Sequence, residues 1–106
     1  MRQWWDANFG YARNIMALYF LDYDLRKAKN YQLLYEELAR FNAVRVLKSQ
    51  WCFHRFNTTV KNLRDHFKQF IDNDDGLSIA EVSDWATYAA EKTPNDLNTT
   101  SATTRR

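Results

Sequence analysis

The chain contains one cysteine, one proline and two glycines, and it has no apolar run long enough to cross a bilayer. Each scarcity excludes something. A lone Cys52 rules out an intramolecular disulfide and any cysteine-cluster metal site, and it suits a reducing compartment. The longest uninterrupted apolar stretch, Ile15 to Leu21, falls far short of the roughly 20 residues a spanning helix needs. The opening "MRQWWDANFGYARN" has no apolar run to serve as a signal-peptide core. A membrane is therefore not an expected partner, and the expected location is cytoplasmic. What is present is a globular composition: hydrophobic residues make up 45% and aromatics 16% of 106 residues, enough for one modest core.

Net charge says less than its sign. The formal +2 rests on arginines near the ends, Arg2, Arg13, Arg105 and Arg106, opposed there only by Asp6 and Asp96. Without these the stretch from Met16 to Lys92 is neutral. A neutral domain does not advertise nucleic-acid binding, although a local basic patch such as Arg45, Lys48 and Arg55 can supply it.

The pattern along the chain divides it into three parts. Residues 1–15 show no clear period, and Met16 stands immediately before the first strong one, as a natural start preceded by an extension would. Residues 16–92 form one domain. Residues 93–106, rich in Thr, Asn and Ser with Pro94 near their start, read as a disordered polar tail. Within the domain, Met16 to Tyr23 is β-favouring and almost wholly apolar, a strand buried on both faces. Asn30 is placed to cap a helix in which Tyr31, Leu34, Tyr35, Leu38 and Phe41 line one face. "NAVRVLKSQWCFHRF" reads as two strands, Ala43 to Leu47 and Gln50 to Phe56, joined by a tight turn at Lys48 and Ser49. Thr58 or Thr59 can cap a second helix carrying Val60, Leu63, Phe67, Phe70 and Ile71. "DNDDG" ends it, with Gly76 suited to a left-handed turn. Leu77 to Val82 is a last strand, and "SDWATYAAEK" a further short strand or helix.

The order strand, helix, strand, strand, helix, strand favours an α+β, ferredoxin-like βαββαβ fold, an antiparallel sheet with two helices on one face. Leu18 and Phe20 would then point away from Ala17, Tyr19, Leu21 and Tyr23, and Trp51 and Phe53 away from Cys52 and Phe56. Neither face is polar. An uncovered face with such side chains exceeds what monomers usually expose, which predicts a homodimer or a fixed partner.

"ALYFLDYDL" places Asp22 and Asp24 where the first strand leaves the core. Carboxylates at i and i+2 of a strand project from the same face, so the two could share a hard divalent cation such as Mg²⁺ or Mn²⁺, and with water and phosphate filling the other positions the pair would be enough for phosphodiester hydrolysis. The ordinary alternative is that Asp24 caps the loop and Asp22 pairs with a neighbouring base such as Arg26. "DNDDG" fails as a calcium loop: with Gly76 at the sixth position, Ile71 and Val82 fall where carboxylates are required. His66 reads as a solvated surface residue off the apolar stripe, while His54, on an inner strand, lies nearer a site. Cys52 reads as a small core residue rather than a nucleophile. Trp51, Phe53 and Phe56 suit packing better than stacking on bases.

Together "YFLDYDLRK", "LYEEL", "SQW", "NLRDHFKQFID" and "DDGLSIAEVSDWA", spanning roughly residues 16 to 86, give a chain that resembles the small CRISPR-associated endoribonuclease family, second of the CRISPR-associated proteins, and the related virulence-associated protein D toxins, with a closer likeness to small SinR-like bacterial proteins of that superfamily. Tyr23, Asp24 and Leu25 look like the family's Tyr-Asp-aliphatic motif. The resemblance implies a ferredoxin-like homodimer in which the strand-end aspartate, Asp24 here, approaches its twin and helps hold a divalent metal. Asp22 is added by strand geometry alone. The expected function is a metal-dependent phosphodiesterase, a ribonuclease of toxin or defence type acting on RNA or DNA, with Arg26, Lys27, Arg45 or Arg55 neutralising the backbone. The alternative is a non-catalytic dimeric adaptor for a cognate protein or nucleic acid, its contacts made by an exposed sheet edge and the segment around Trp85. No helix-turn-helix pattern supports a sequence-specific regulator.

Overall fold

The structure is a computed structural model, and it describes residues 16–97. The expectations for residues 1–15 and 98–106 lie outside the described residues. Strand β1 (Ala17–Asp24) leads to helix α1 (Gln32–Arg40), the hairpin strands β2 (Val44–Leu47) and β3 (Gln50–Arg55), helix α2 (Val60–Phe67) and strand β4 (Gly76–Val82). The sheet order is β2-β3-β1-β4 and every pairing is antiparallel, so the fold is α+β of ferredoxin-like type.

Strand alternation sorts the sheet into two faces. From β1, Tyr19, Leu21 and Tyr23 are buried with Phe53 of β3 against Leu34 and Leu38 of α1 and Leu63 and Phe67 of α2. This shared cluster places both helices on one face. Burying each of these large side chains contributes about 1.5–3 kcal/mol, which makes the helix face the main source of stability. Phe41, from the end of α1, packs its ring on Phe53 at 5.1 Å and on Phe67 at 4.9 Å.

The outer face is covered over half its width. Val46 and Cys52, from the edge strand β2 and its neighbour β3, are fully buried although they do not belong to the helix-side cluster. The chain after β4 lies over them. The Glu91 N–H donates to the Val46 carbonyl at 2.9 Å, and Pro94 is buried in a 3₁₀ turn (Pro94–Asp96). That carbonyl is offered where the β2-β3 register shifts between Arg45 and Leu47. Over β1 and β4 the outer face carries Leu18, Phe20 and Val82, which are only partly buried, with Ala80 exposed.

Several local expectations are corrected. Asn30 does not cap α1. Tyr31 holds that position, with no side-chain cap, while Thr59 does cap α2, accepting from the Asn62 N–H at 3.1 Å. Gly76 is not left-handed but the first residue of β4. Its missing side chain matters for another reason: a Cβ there would lie 3.0 Å from Nη2 of Arg26 and 3.4 Å from Cβ of Asp24. The segment from Ser83 to Lys92 is neither strand nor helix, and Ala89 within it has a left-handed φ of 54°. The polar tail predicted from Thr93 begins with an ordered turn. Thr93 and Asp96 close a capping box in which the Thr93 side chain accepts from Asn95 N–H and Asp96 accepts from Thr93 N–H.

Candidate functional site

Asp22 and Asp24 stand two positions apart on β1, and the pairing puts Ser78 opposite Asp22 and Gly76 opposite Asp24. All four line an open hollow of about 250 Å³ at the end of the sheet, together with Tyr23 and Leu77. Alternation directs the Asp22 and Asp24 side chains to the outer face, opposite to Tyr23. The two carboxylates have different surroundings. Asp24 is exposed, and its Oδ2 accepts from Nε of Arg26 at 3.1 Å. Asp22 is half-buried, and among the described residues no cation lies within ion-pair distance of it. Burial pushes the Asp22 carboxyl above its ordinary value, and the Gln50 side chain offsets only part of that rise. The expected pairing of Asp22 with Arg26 is thus corrected: Arg26 goes to Asp24.

This inequality bears on a divalent cation. Hard cations take oxygen donors, and a half-buried carboxylate lacking a positive partner is the donor that gains most from one. Asp22, Asp24 and Ser78, which line the hollow together, carry oxygens of the kind such a cation takes. The closest acidic group among the described residues lies elsewhere, at Asp72, Asp74 and Asp75, whose oxygens come within 4.8 Å of one another. Those carboxylates are already engaged. Asp72 pairs with Lys29 at 2.9 Å and Asp74 with Lys27 at 3.2 Å. Asp75 accepts from the Arg26 N–H at 2.7 Å, the Asp72 N–H at 2.8 Å and the Tyr31 hydroxyl at 3.1 Å. Burial alone would raise the Asp75 carboxyl, but the Arg26 and Asp72 amides outweigh it and hold its pKa below the ordinary value.

The four cations expected to serve one site are divided between two faces. Arg26 and Lys27 lie in the loop after β1, Arg26 bonded to Asp24 and Lys27 paired with Asp74. Arg45 is opposite Trp51 and Arg55 opposite Ala17, and both project to the helix face, away from the carboxylates. Arg45 lies over the rings of Tyr35 and Trp51, at 5.5 and 5.1 Å, and donates to the Tyr23 hydroxyl at 3.0 Å and the Lys48 carbonyl at 3.1 Å. The Trp51 indole N–H donates to the same hydroxyl at 3.1 Å. Tyr23 of the motif therefore ties the end of β1 to the hairpin, and Arg45 is a structural cation. Arg55 stacks on Phe41 at 3.8 Å, and burial lowers its pKa against the opposing pull of Glu37.

Neither histidine completes a site with Asp22. His54 sits opposite Leu18, about 13 Å along the strands from the Asp22 position, and burial lowers its pKa. His66 is not the solvated residue its position off the apolar stripe predicts. Its Nε2 shares a 2.6 Å hydrogen bond with Oε2 of the buried Glu37, and its ring packs on Phe41, Phe67 and Phe70. Glu37 also accepts from Nε of Arg40 at 2.8 Å. The partner of His66 is 29 residues away, a contact that no local spacing announces. Cys52 is inert as expected, its thiol pushed up to about 12 by burial, with the Asp96 charge adding to the rise. Trp51 and Phe53 pack on the helix face, while Phe56 lies beyond β3 and is exposed.

Among the described residues no helix is long and apolar enough to cross a membrane. No known protein-family model matches the chain.

Proposed function

We propose that this chain is the protomer of a homodimeric, Mg²⁺- or Mn²⁺-dependent phosphodiesterase, an endoribonuclease of toxin or defence type working in the cytoplasm. The observation that carries the reading is the half-buried Asp22 carboxylate, without a cationic partner among the described residues, beside the exposed Asp24 and Ser78 on a sheet face that the helices leave uncovered. A divalent cation bound there would polarise a phosphoryl oxygen and lower the pKa of a bound water. The chain's own residues do the rest. Asp22 and Asp24 supply hard oxygen donors, and Arg26 orients Asp24 through its Nε–H. Tyr23 holds the strand end in place through Trp51 and Arg45. The partly buried Leu18, Phe20 and Val82 next to the hollow give a second copy an apolar surface, which would bring the two Asp24 side chains together. The likeness of "YFLDYDLRK" to the CRISPR-associated and virulence-associated protein D superfamily supports the same assignment.

The test is cleavage of labelled single-stranded and duplex RNA and DNA by the purified dimer with Mg²⁺ or Mn²⁺. Loss of cleavage with EDTA and in Asp24→Ala, with the dimer intact, is the expected result. A folded, metal-loaded dimer that cuts no substrate overturns the nuclease reading. A dimeric adaptor is then the second reading, and one observation favours it: Arg45 and Arg55, two of the four cations expected to neutralise a backbone, are spent on aromatic rings and hydroxyls within the chain.

A further inference from the structure

The loop after β1 and the turn before β4 oppose each other with opposite charge. Arg26, Lys27 and Lys29 lie on the first, and Asp72, Asp74 and Asp75 on the second, more than 40 residues away in sequence. Their contacts are of two kinds. Asp75 binds backbone and a tyrosine: it accepts from the Arg26 and Asp72 amides and the Tyr31 hydroxyl, so it holds the two loops in register. Asp72 and Asp74 bind only lysine side chains through their carboxylates, Lys29 at 2.9 Å and Lys27 at 3.2 Å. Both lysines are about half exposed, at 47% and 51%. Exposed pairs of this kind contribute little to stability and exchange readily for another anion.

A phosphodiester backbone is such an anion, and its attraction to lysine strengthens as counterions are released. The hollow beside Asp24 adjoins this loop through Arg26, which bonds both the Asp24 carboxylate and, at 2.6 Å, the Asp74 carbonyl. We infer that Lys27 and Lys29 form a phosphate-binding surface for single-stranded nucleic acid, with Asp72 and Asp74 as internal counter-ions that the backbone displaces. This rests on the nucleic-acid side of the reading above but not on catalysis. Lys29 thereby joins Lys27 as a binding residue, whereas Arg45 and Arg55, held against aromatic rings, do not take part.

The experiment is fluorescence anisotropy with a labelled single-stranded RNA of mixed sequence and its DNA counterpart, in EDTA so that nothing is cut. Asp72→Asn with Asp74→Asn removes both counter-ions while keeping side-chain size and the Asp75 contacts. Affinity should rise about fivefold or more over the unmodified protein. A control with the same change in net charge, Glu36→Gln with Asp65→Asn, alters exposed carboxylates on the helices and should raise affinity less than twofold. Lys27→Gln with Lys29→Gln should weaken binding at least fivefold and erase the gain from the aspartate pair. Thermal melts of each variant check folding.

Equal gains in the aspartate pair and the control overturn the inference, because net charge alone would then explain them. So does binding unaffected by the lysine substitutions, or no binding by any variant. The two readings fail separately: RNA binding that follows this pattern without cleavage in Mg²⁺ sinks only the nuclease. Asp24-dependent cleavage with no effect of Asp72 and Asp74 on binding sinks only the counter-ion exchange.

Discussion

The two faces of the sheet use polar chemistry in opposite ways. On the helix face polar groups beside the core are paired: Glu37 has His66 and Arg40, and the Tyr23 hydroxyl has Arg45 and Trp51. On the outer face Asp22 is half-buried and lacks a cation among the described residues, and the apolar side chains over β1 and β4 lie partly open. Polar groups beside a packed core cost stability unless paired, so pairing there serves the fold. An under-compensated carboxylate on a face that adds little to the core marks where a ligand has something to gain.

The largest expected effect separates the faces by stability. Phe67→Ala, in the helix-face cluster, should cost about 3–5 kcal/mol, whereas Phe20→Ala on the outer face should cost about 1 kcal/mol at low protein concentration. Urea unfolding midpoints measure both, and equal losses would mean that the outer face carries as much of the core as the helix face.

A smaller effect concerns acid. Burial of Glu37 raises its pKa, but the hydrogen bonds from His66 and Arg40 outweigh this and leave it below the ordinary carboxylate value. A group whose pKa is depressed on folding contributes stability that is present above the unfolded value and lost as pH falls through the folded one. Stability should therefore decline below about pH 4.5, and Glu37→Gln should flatten that decline while costing about 1–3 kcal/mol at neutral pH. Denaturant titrations at a series of pH values test this. An unchanged slope in Glu37→Gln would remove Glu37 from the acid limb.

The smallest effect has the opposite sign. The Asp22 pKa is raised in the folded state, so the ionised form disfavours folding above that pKa, and the penalty disappears as pH falls through it. Asp22→Asn should leave stability at neutral pH unchanged or slightly higher, and it should abolish any rise in melting temperature on adding Mg²⁺ or Mn²⁺. A clear loss of stability in that variant without metal would make Asp22 a structural residue like those on the other face.

The helix face was legible in the sequence because one periodicity carries it. Leu34 and Leu38, Leu63 and Phe67, and the alternate residues of β1 recur at the spacing their elements impose. The positions of Asp22 and Asp24 followed from the same alternation. The faces of Arg45 and Arg55 did not, because they depend on register: Arg45 meets Trp51 just before the shift at Val46, and Arg55 meets Ala17. His66 lies off the apolar stripe of its own helix, and only the approach of α1, whose Glu37 reaches it, takes it partly out of solvent. The irregular Ser83–Lys92 segment has no period, and its path over Val46 is held by contacts outside itself.

The sequence by itself determined the order of elements, the βαββαβ class and the apolar stripes, because hydrophobic spacing and Thr59 capping act within a few residues. It also put two aspartates on one side of one strand. Only the tertiary structure decided which charges are spent. The contacts of Arg26 and Lys29 with the acidic turn, of His66 with Glu37, and of Arg45 with Tyr23 each join segments 22 to 49 residues apart. An ion pair or aromatic stack depends on distance in space, and the chain encodes that distance only through the packing of everything between.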